Sequence, residues 1–241
     1  MKLMKRGIPL CILNLLVYWY SNLTSRVKWN NVLSLTFRVV SGVRQGGVLS
    51  PHLFTIYMDD LIAKLRSLKI GCHLAELFLS CIVYADDICL LAPCRSALQL
   101  LLDTCEAYGK EFCLSYNPSK SKIMTFGSQA YSPSFFMYGK ELDYAQEYKY
   151  LGIAVVAGRT FSTTFIRPLI RFRSSANSIL NAPHSSSEPI LIRLLYAMCV
   201  PHLTYASDVL LCSARQMHSF HVALNDSERR IFGCNTGCLI L

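Results

Sequence analysis

Two adjacent carboxylates, Asp86 and Asp87, stand in the segment Tyr84-Ala85-Asp86-Asp87 between apolar runs at residues 77–83 and 88–91. The pattern predicts a hairpin from a buried sheet with both acids at its tip. Anions held against apolar strands are costly unless a cation joins them. At roughly 5 Å and an effective dielectric of about 20, their repulsion is on the order of 3 kcal/mol, which a divalent ion relieves. Oxygen-only ligands favour Mg²⁺ or Mn²⁺ over zinc, and a carboxylate-held metal beside phosphate substrates is the chemistry of phosphoryl transfer. Taken alone, the pair is equally an ordinary solvated turn, where aspartate is common. A second candidate is the run Ser41-Gly42-Val43-Arg44-Gln45-Gly46-Gly47, whose glycines predict unusual backbone angles or the close approach of another group. By contrast, Cys212, His218, His221, Cys234 and Cys238 lack the paired spacing of a zinc motif.

These residues need elements to position them. Pro9 suits the first turn of a helix over residues 8–20, and residues 32–40 read as a strand entering the glycine run. Ser50-Pro51 predicts an N-cap and first turn for a long helix with Phe54, Tyr57, Met58, Leu61, Ile62, Leu65 and Leu68 on one face. On that helix Asp60 and Lys64 have the spacing of a surface ion pair. Ser96 and Gln99 have capping-box spacing ahead of a second helix carrying Leu98, Leu101, Leu102, Cys105, Tyr108 and Phe112. Strands follow at 122–126, 135–138, 141–144 and 148–156, with Gly139-Lys140 as a turn. From about residue 158 the texture becomes helical, near 161–180, 189–212 and 214–232, with a break at 183–189. The expectation is α+β, with a subdomain boundary between residues 1–157 and 158–241.

Composition narrows the class. The 241 residues are 52% apolar and 16% charged, enough for a real core and too hydrophobic for disorder. The net charge of +9 favours an anionic partner, either nucleic acid or an acidic membrane surface. Residues 1–58 hold seven Lys or Arg and no carboxylate, and the first acid is Asp59. The 11 cysteines, without a CxxC pair and mostly in apolar runs, read as reduced thiols of an intracellular protein. A rival reading is a secreted or membrane-associated protein, since Lys2, Lys5 and Arg6 precede an apolar run and Asn22 begins a sequon. Against it, Tyr18, Trp19 and Tyr20 are poor cleavage-site residues and Asn14 interrupts a run too short to span a membrane.

The ordered motifs Gly42-Val43-Arg44-Gln45-Gly46-Gly47-Val48-Leu49-Ser50-Pro51, Tyr84-Ala85-Asp86-Asp87, Gly109-Lys110-Glu111-Phe112 and Tyr148-Lys149-Tyr150-Leu151-Gly152 closely resemble the reverse transcriptase of non-LTR (LINE-type) retrotransposons. The resemblance spans about two-thirds of the chain as ordered motifs. It implies a polymerase palm, an antiparallel sheet with helices packed on one face, over 1–157, and a small helical thumb-like subdomain over 158–241. It assigns Asp86 and Asp87 to catalytic metal, Mg²⁺ or Mn²⁺. It places Arg44, Gln45, Gly46 and Gly47 beside template and incoming nucleotide. Tyr84 falls near the primer end, Tyr150, Leu151 and Gly152 on the primer-grip strand, and Lys120 at the position proposed to assist pyrophosphate departure. The implied partners are an RNA template, a DNA primer and deoxynucleotides, without stable membrane association.

The same family uses a further aspartate upstream of the glycine loop, together with a fingers region. Residues 1–58 contain no Asp or Glu, and Asp59 and Asp60 lie mid-helix, so the expectation is a palm and thumb fragment that binds metal weakly and does not polymerise alone. Arg159, Arg167, Arg171, Arg173 and Arg193 suit contacts to primer-template phosphates, or else form a solvated helix face. The alternative in a different class is a non-catalytic nucleic-acid-binding remnant.

Overall fold

The structure is a computed structural model that describes residues 2–127, 133–181, 187–207, 210 and 212–234. In chain order the first elements are α1 (Lys2–Lys5), α2 (Leu10–Ser21), β1 (Thr24–Ser25), β2 (Lys28–Trp29), β3 (Val32–Leu33), β4 (Phe37–Arg38) and α3 (Ser50–Ser67). Then come β5 (His73–Leu74), β6 (Leu77–Phe78), β7 (Cys81–Tyr84), β8 (Asp87–Leu90), α4 (Arg95–Phe112) and β9 (Lys122–Ile123). They are followed by β10 (Phe136–Met137), β11 (Lys140–Glu141), β12 (Asp143–Tyr144), β13 (Glu147–Tyr150), β14 (Ile153–Val156) and β15 (Ser162–Thr164). The remainder is α5 (Ile166–Leu180), α6 (Glu188–Leu194), a π-helical turn (Leu195–Cys199), α7 (Val200–Thr204) and α8 (Ala214–Ile231). The chain is α+β and divides into two compact units, residues 1–120 with 133–142, and residues 121–132 with 143–241.

In the first unit, helical spacing sets the core. Met58, Leu61 and Leu65 of α3 meet Leu101, Cys105 and Tyr108 of α4 around Phe78, with Cys81, Ile88 and Leu90 of the β7–β8 hairpin packed against them. Leu61, Leu65 and Leu101 are fully buried; each such side chain contributes about 2 kcal/mol. Both expected helix starts differ in detail. Leu49 is the N-cap of α3, and Ser50, one residue later, turns its hydroxyl back to the Arg44 carbonyl at 2.6 Å. The capping box at Ser96 and Gln99 does not form. Gln99 instead exchanges hydrogen bonds with the backbone of Phe136, at 2.9 and 3.0 Å, satisfying the edge of β10 as a strand would. The Asp60–Lys64 pair also gives way: Asp60 meets Lys2 at 3.1 Å and Lys64 meets Glu111 at 2.5 Å.

Several expected strands are shorter than the apolar runs that predicted them. Residues 32–40 divide into β3, which a left-handed turn at Asn30 and Asn31 folds back onto β2, and β4, which pairs with β1. The run at 77–83 breaks at Ser80, fully buried, whose hydroxyl accepts the Cys72 amide at 2.5 Å. The β10–β11 reversal falls at Tyr138-Gly139, one residue earlier than expected. Small sheets of two or three strands stand in place of one sheet, and β9 pairs with β12 in parallel.

In the second unit, β13, β14 and β15 form a three-stranded sheet. Phe172, Ala176, Leu195, Cys199, Leu203, Ala223 and Ile231 form the helical core. Residues 162–164, expected to be helical, are a strand. The helix expected over 189–212 widens into a π-turn before Pro201, which has no amide hydrogen to continue regular pairing. Ser213 and Gln216 do form a capping box on α8.

Candidate functional site

The Asp-Asp segment forms the expected hairpin. β7 and β8 pair from Cys81↔Leu90 to Tyr84↔Asp87, leaving Ala85 and Asp86 as the two-residue turn and Asp87 as the first residue of β8. Ala85 takes φ 51°, a left-handed value that the tight reversal demands. Tyr84, Asp86 and Asp87 are exposed, which corrects the expectation of anions pressed against a buried sheet. Their mutual repulsion is therefore screened by water, and burial adds little. At the end of the hairpin away from the tip, where it joins the core, burial pushes the Cys81 thiol up to about 11 and Cys105 of α4 to about 12. Neither Asp86 nor Asp87 forms an ion pair with a protein cation among the described residues.

The glycine loop leads directly into α3, whose other turns pack on the core that carries the hairpin. The Arg44 carbonyl is its hub, accepting the Gly47 amide at 3.1 Å and the Ser50 hydroxyl at 2.6 Å. A Cβ on Gly47 would stand 2.8 Å from the Ser50 Oγ and 3.1 Å from the Arg44 oxygen, so any larger residue forces the Ser50 hydroxyl off the Arg44 carbonyl. Gly46 has φ 78° and open space on its outer side. Arg44, Gln45 and Gly46 are exposed and Gly47 half-buried. Residues 44–50 form one wall of a recess of about 340 Å³ whose other wall is Trp19, Tyr20 and Leu23. Sequence reasoning missed those three as site residues; the signal was the Tyr18-Trp19-Tyr20 run, weighed only against peptide cleavage.

Lys120 is exposed in a turn built on Asn117, whose side-chain oxygen accepts the Ser119 amide at 3.0 Å and the Lys120 amide at 3.3 Å. Asp86, Asp87, Tyr84, Lys120 and the glycine loop belong to the first unit, and Tyr150, Leu151 and Gly152 to the second. Residues 148–156, expected as one strand, are a hairpin with Leu151 and Gly152 at φ 47° and 85° in its turn. The Tyr205 hydroxyl donates to the Leu151 carbonyl at 2.8 Å, and a Cβ on Gly152 would lie 2.8 Å from the Tyr205 ring. This turn is thus braced by Tyr205, a contact the sequence did not announce.

Of the basic residues singled out, Arg167 pairs with Glu147 at 3.1 Å, while Arg173 lines an open recess with Arg229 and Arg230. Cys238 lies outside the described residues. Among those described, no three His, Cys, Asp or Glu side chains gather as a metal-binding group.

The exposed Asp-Asp hairpin and the glycine turn are thus anchored on one α+β core. A family model described as reverse transcriptase (RNA-dependent DNA polymerase) matches residues 2–155, and the chain belongs to that family. Its curated relatives are proteins of non-LTR retrotransposons. The chain is 30% identical over 164 residues to the Pol polyprotein of the R2 element of Nasonia vitripennis, covering 63% of this chain and 16% of that protein. It is 26% identical over 206 residues to the RNA-directed DNA polymerase of the mobile element jockey of Drosophila melanogaster, covering 81% of this chain and 22% of that protein. To the Pol polyprotein of R2DM from the same fly it is 33% identical over 126 residues, covering 48% and 12%. The family match takes in the apolar run at 8–20, and among the described residues no helix is long and apolar enough to cross a membrane.

Proposed function

We propose that the chain is the palm (1–157) and thumb-like (158–241) portion of an RNA-directed DNA polymerase of a non-LTR retrotransposon, acting inside the cell on an RNA template, a DNA primer and deoxynucleotides. The single observation that carries this reading is the exposed Asp86-Asp87 tip, seated on the same core as the helix that the glycine loop begins. Two neighbouring oxygen donors without a protein cation fit Mg²⁺ or Mn²⁺. Such an ion, when bound, would supply polarisation of the primer hydroxyl and charge balance for the departing pyrophosphate. Asp86 and Asp87 would hold it, and Tyr84, opposite Asp87 in the ladder, would face the primer end. Arg44, Gln45 and the bare backbone of Gly46 and Gly47 would bound the space for template and nucleotide. Lys120 would supply a proton to pyrophosphate, and the turn at Tyr150, Leu151 and Gly152 would steady the primer.

Residues 1–58 bring no carboxylate that could join the pair as a third ligand. The 241-residue chain alone therefore binds nucleic acid without extending a primer. The test is primer extension on an RNA template, with binding followed by fluorescence anisotropy as salt is raised. Binding that weakens steeply with salt and no incorporation is the expected outcome. Incorporation abolished by Asp86→Ala would show the chain to be a complete enzyme, and absence of any binding would contradict the polymerase reading.

A further inference from the structure

We propose that α3 and α4 build a recognition site for an alkylammonium group, and that Lys2 fills it in cis, holding the arm of α1 and α2 on the first unit. The site stands independently of the polymerase reading. Tyr57, Tyr108 and Phe112 present three rings to one point, and the Lys2 Nζ lies 4.9, 5.2 and 4.2 Å from their centres. All three distances are inside the reach of about 6 Å at which the negative face of an aromatic ring attracts a cation. Oxygen atoms complete the box. The ammonium donates to the Tyr57 carbonyl at 2.6 Å and to the Tyr108 hydroxyl at 2.7 Å, and meets Asp60 at 3.1 Å. An ammonium carries three N–H donors and no acceptor, so these three oxygens satisfy it in full.

The box belongs to the core rather than to Lys2. Tyr108 is 1% exposed, its hydroxyl donates to the Tyr57 carbonyl, and the Tyr57 hydroxyl donates to the Phe112 carbonyl. The Tyr57 and Tyr108 rings each pack on Phe112, at centre separations of 6.0 and 4.4 Å. A second cation, Lys64, stands 5.4 and 5.7 Å from the Tyr108 and Phe112 ring centres but is paired with Glu111. The arm has little else to hold it. No residue of α1 or α2 is buried. Among the described residues, the side-chain ties of the arm to α3 and α4 are those of Lys2 and an ion pair from Arg6 to Asp59. Both members of that pair are exposed, where such contacts are worth little. Because α1 touches both α2 and α3, whatever fixes α1 also fixes the start of α2. The 12 residues of α2 would make a marginal helix in water once detached.

The test is hydrogen exchange of the full chain read by mass spectrometry, with Lys2→Ala as an emptied box and Lys2→Met as a filled but uncharged one. Both variants should exchange the amides of α1 and α2 about tenfold faster than the parent, equivalent to about 1.4 kcal/mol, with the α8 amides unchanged. n-Propylammonium supplies the atoms that Lys2→Ala removes beyond Cβ. At roughly 100 mM, needed because the tether that concentrates Lys2 is gone, it should restore protection to Lys2→Ala, with ionic strength matched by sodium chloride. 1-Propanol should not, and Lys2→Met, whose side chain still fills the space, should respond to neither. Equal exchange in the parent and both variants would overturn the proposal. So would faster exchange that n-propylammonium leaves uncorrected, or restoration of Lys2→Ala by 1-propanol, which would make the box an apolar slot. If Lys2→Ala unfolds the whole first unit, recovery of α4 protection with n-propylammonium and not with 1-propanol supports the site, and recovery with neither overturns it.

Discussion

At the scale of single residues, Ala85 shows what the hairpin demands of its tip. An L-residue with a side chain held at φ 51° is strained, by about 1–2 kcal/mol. Replacing it with glycine removes that strain while loosening the unfolded chain, so Ala85→Gly should stay within about 1 kcal/mol of the parent in urea unfolding. Ala85→Val, β-branched, should lose about 1–3 kcal/mol. Equal stability of the two variants would contradict the left-handed turn. The sequence showed Asp86 and Asp87 at a reversal because apolar runs stop on either side of them. It did not show their exposure, which depends on how far the tip projects beyond the α3 and α4 core. Glu106 makes a second residue-scale case. The Lys110 ammonium at 2.5 Å and the Tyr138 amide at 2.6 Å hold its carboxyl below the ordinary range. A lowered folded-state value stabilises the fold above the unfolded value of about 4.3, and that contribution is lost as pH falls through the folded value. The stability difference between the parent and Glu106→Gln should be full at neutral pH and shrink on acidification below about pH 4. A pH-independent difference in urea midpoints would contradict the contact.

At the scale of elements, the glycine loop and α3 act together. Gly47 admits the Ser50 hydroxyl to the Arg44 carbonyl, and a methyl group there would occupy the space of that hydroxyl. Gly47→Ala should destabilise the chain by about 1–2 kcal/mol, and adding Ser50→Ala should recover part of that loss, because the two groups compete for one volume. Additive losses in chemical denaturation would contradict the geometry. The loop's existence was legible from three glycines before Ser50-Pro51, but the use of Ser50 was not, because a serine ahead of a helix reads as a cap. Gln99 misled in the same way: its local spacing fits a capping box, and the unpaired edge of β10, distant in sequence, claimed it instead. The aromatic end of α2 escaped notice because its partner in the recess, residues 44–50, is more than twenty residues away.

At the scale of the molecule, helical periodicity predicted the α+β class and most long helices, since α3, α4 and α8 each carry an apolar stripe. The sheet was less legible. Two-residue strands such as β9 and β12 exist through parallel pairing across about twenty residues, and no local alternation announces them. Motif order carried the family where local structure could not, and the match over residues 2–155 bears it out. The central claim, that Asp86 and Asp87 together hold a divalent ion, is tested most directly by Mn²⁺ titration of the full chain read by electron paramagnetic resonance. The parent chain should remove free Mn²⁺ signal with a Kd on the order of 1 mM, and Asp86→Asn/Asp87→Asn should not. Equal Mn²⁺ uptake by the two chains would contradict it.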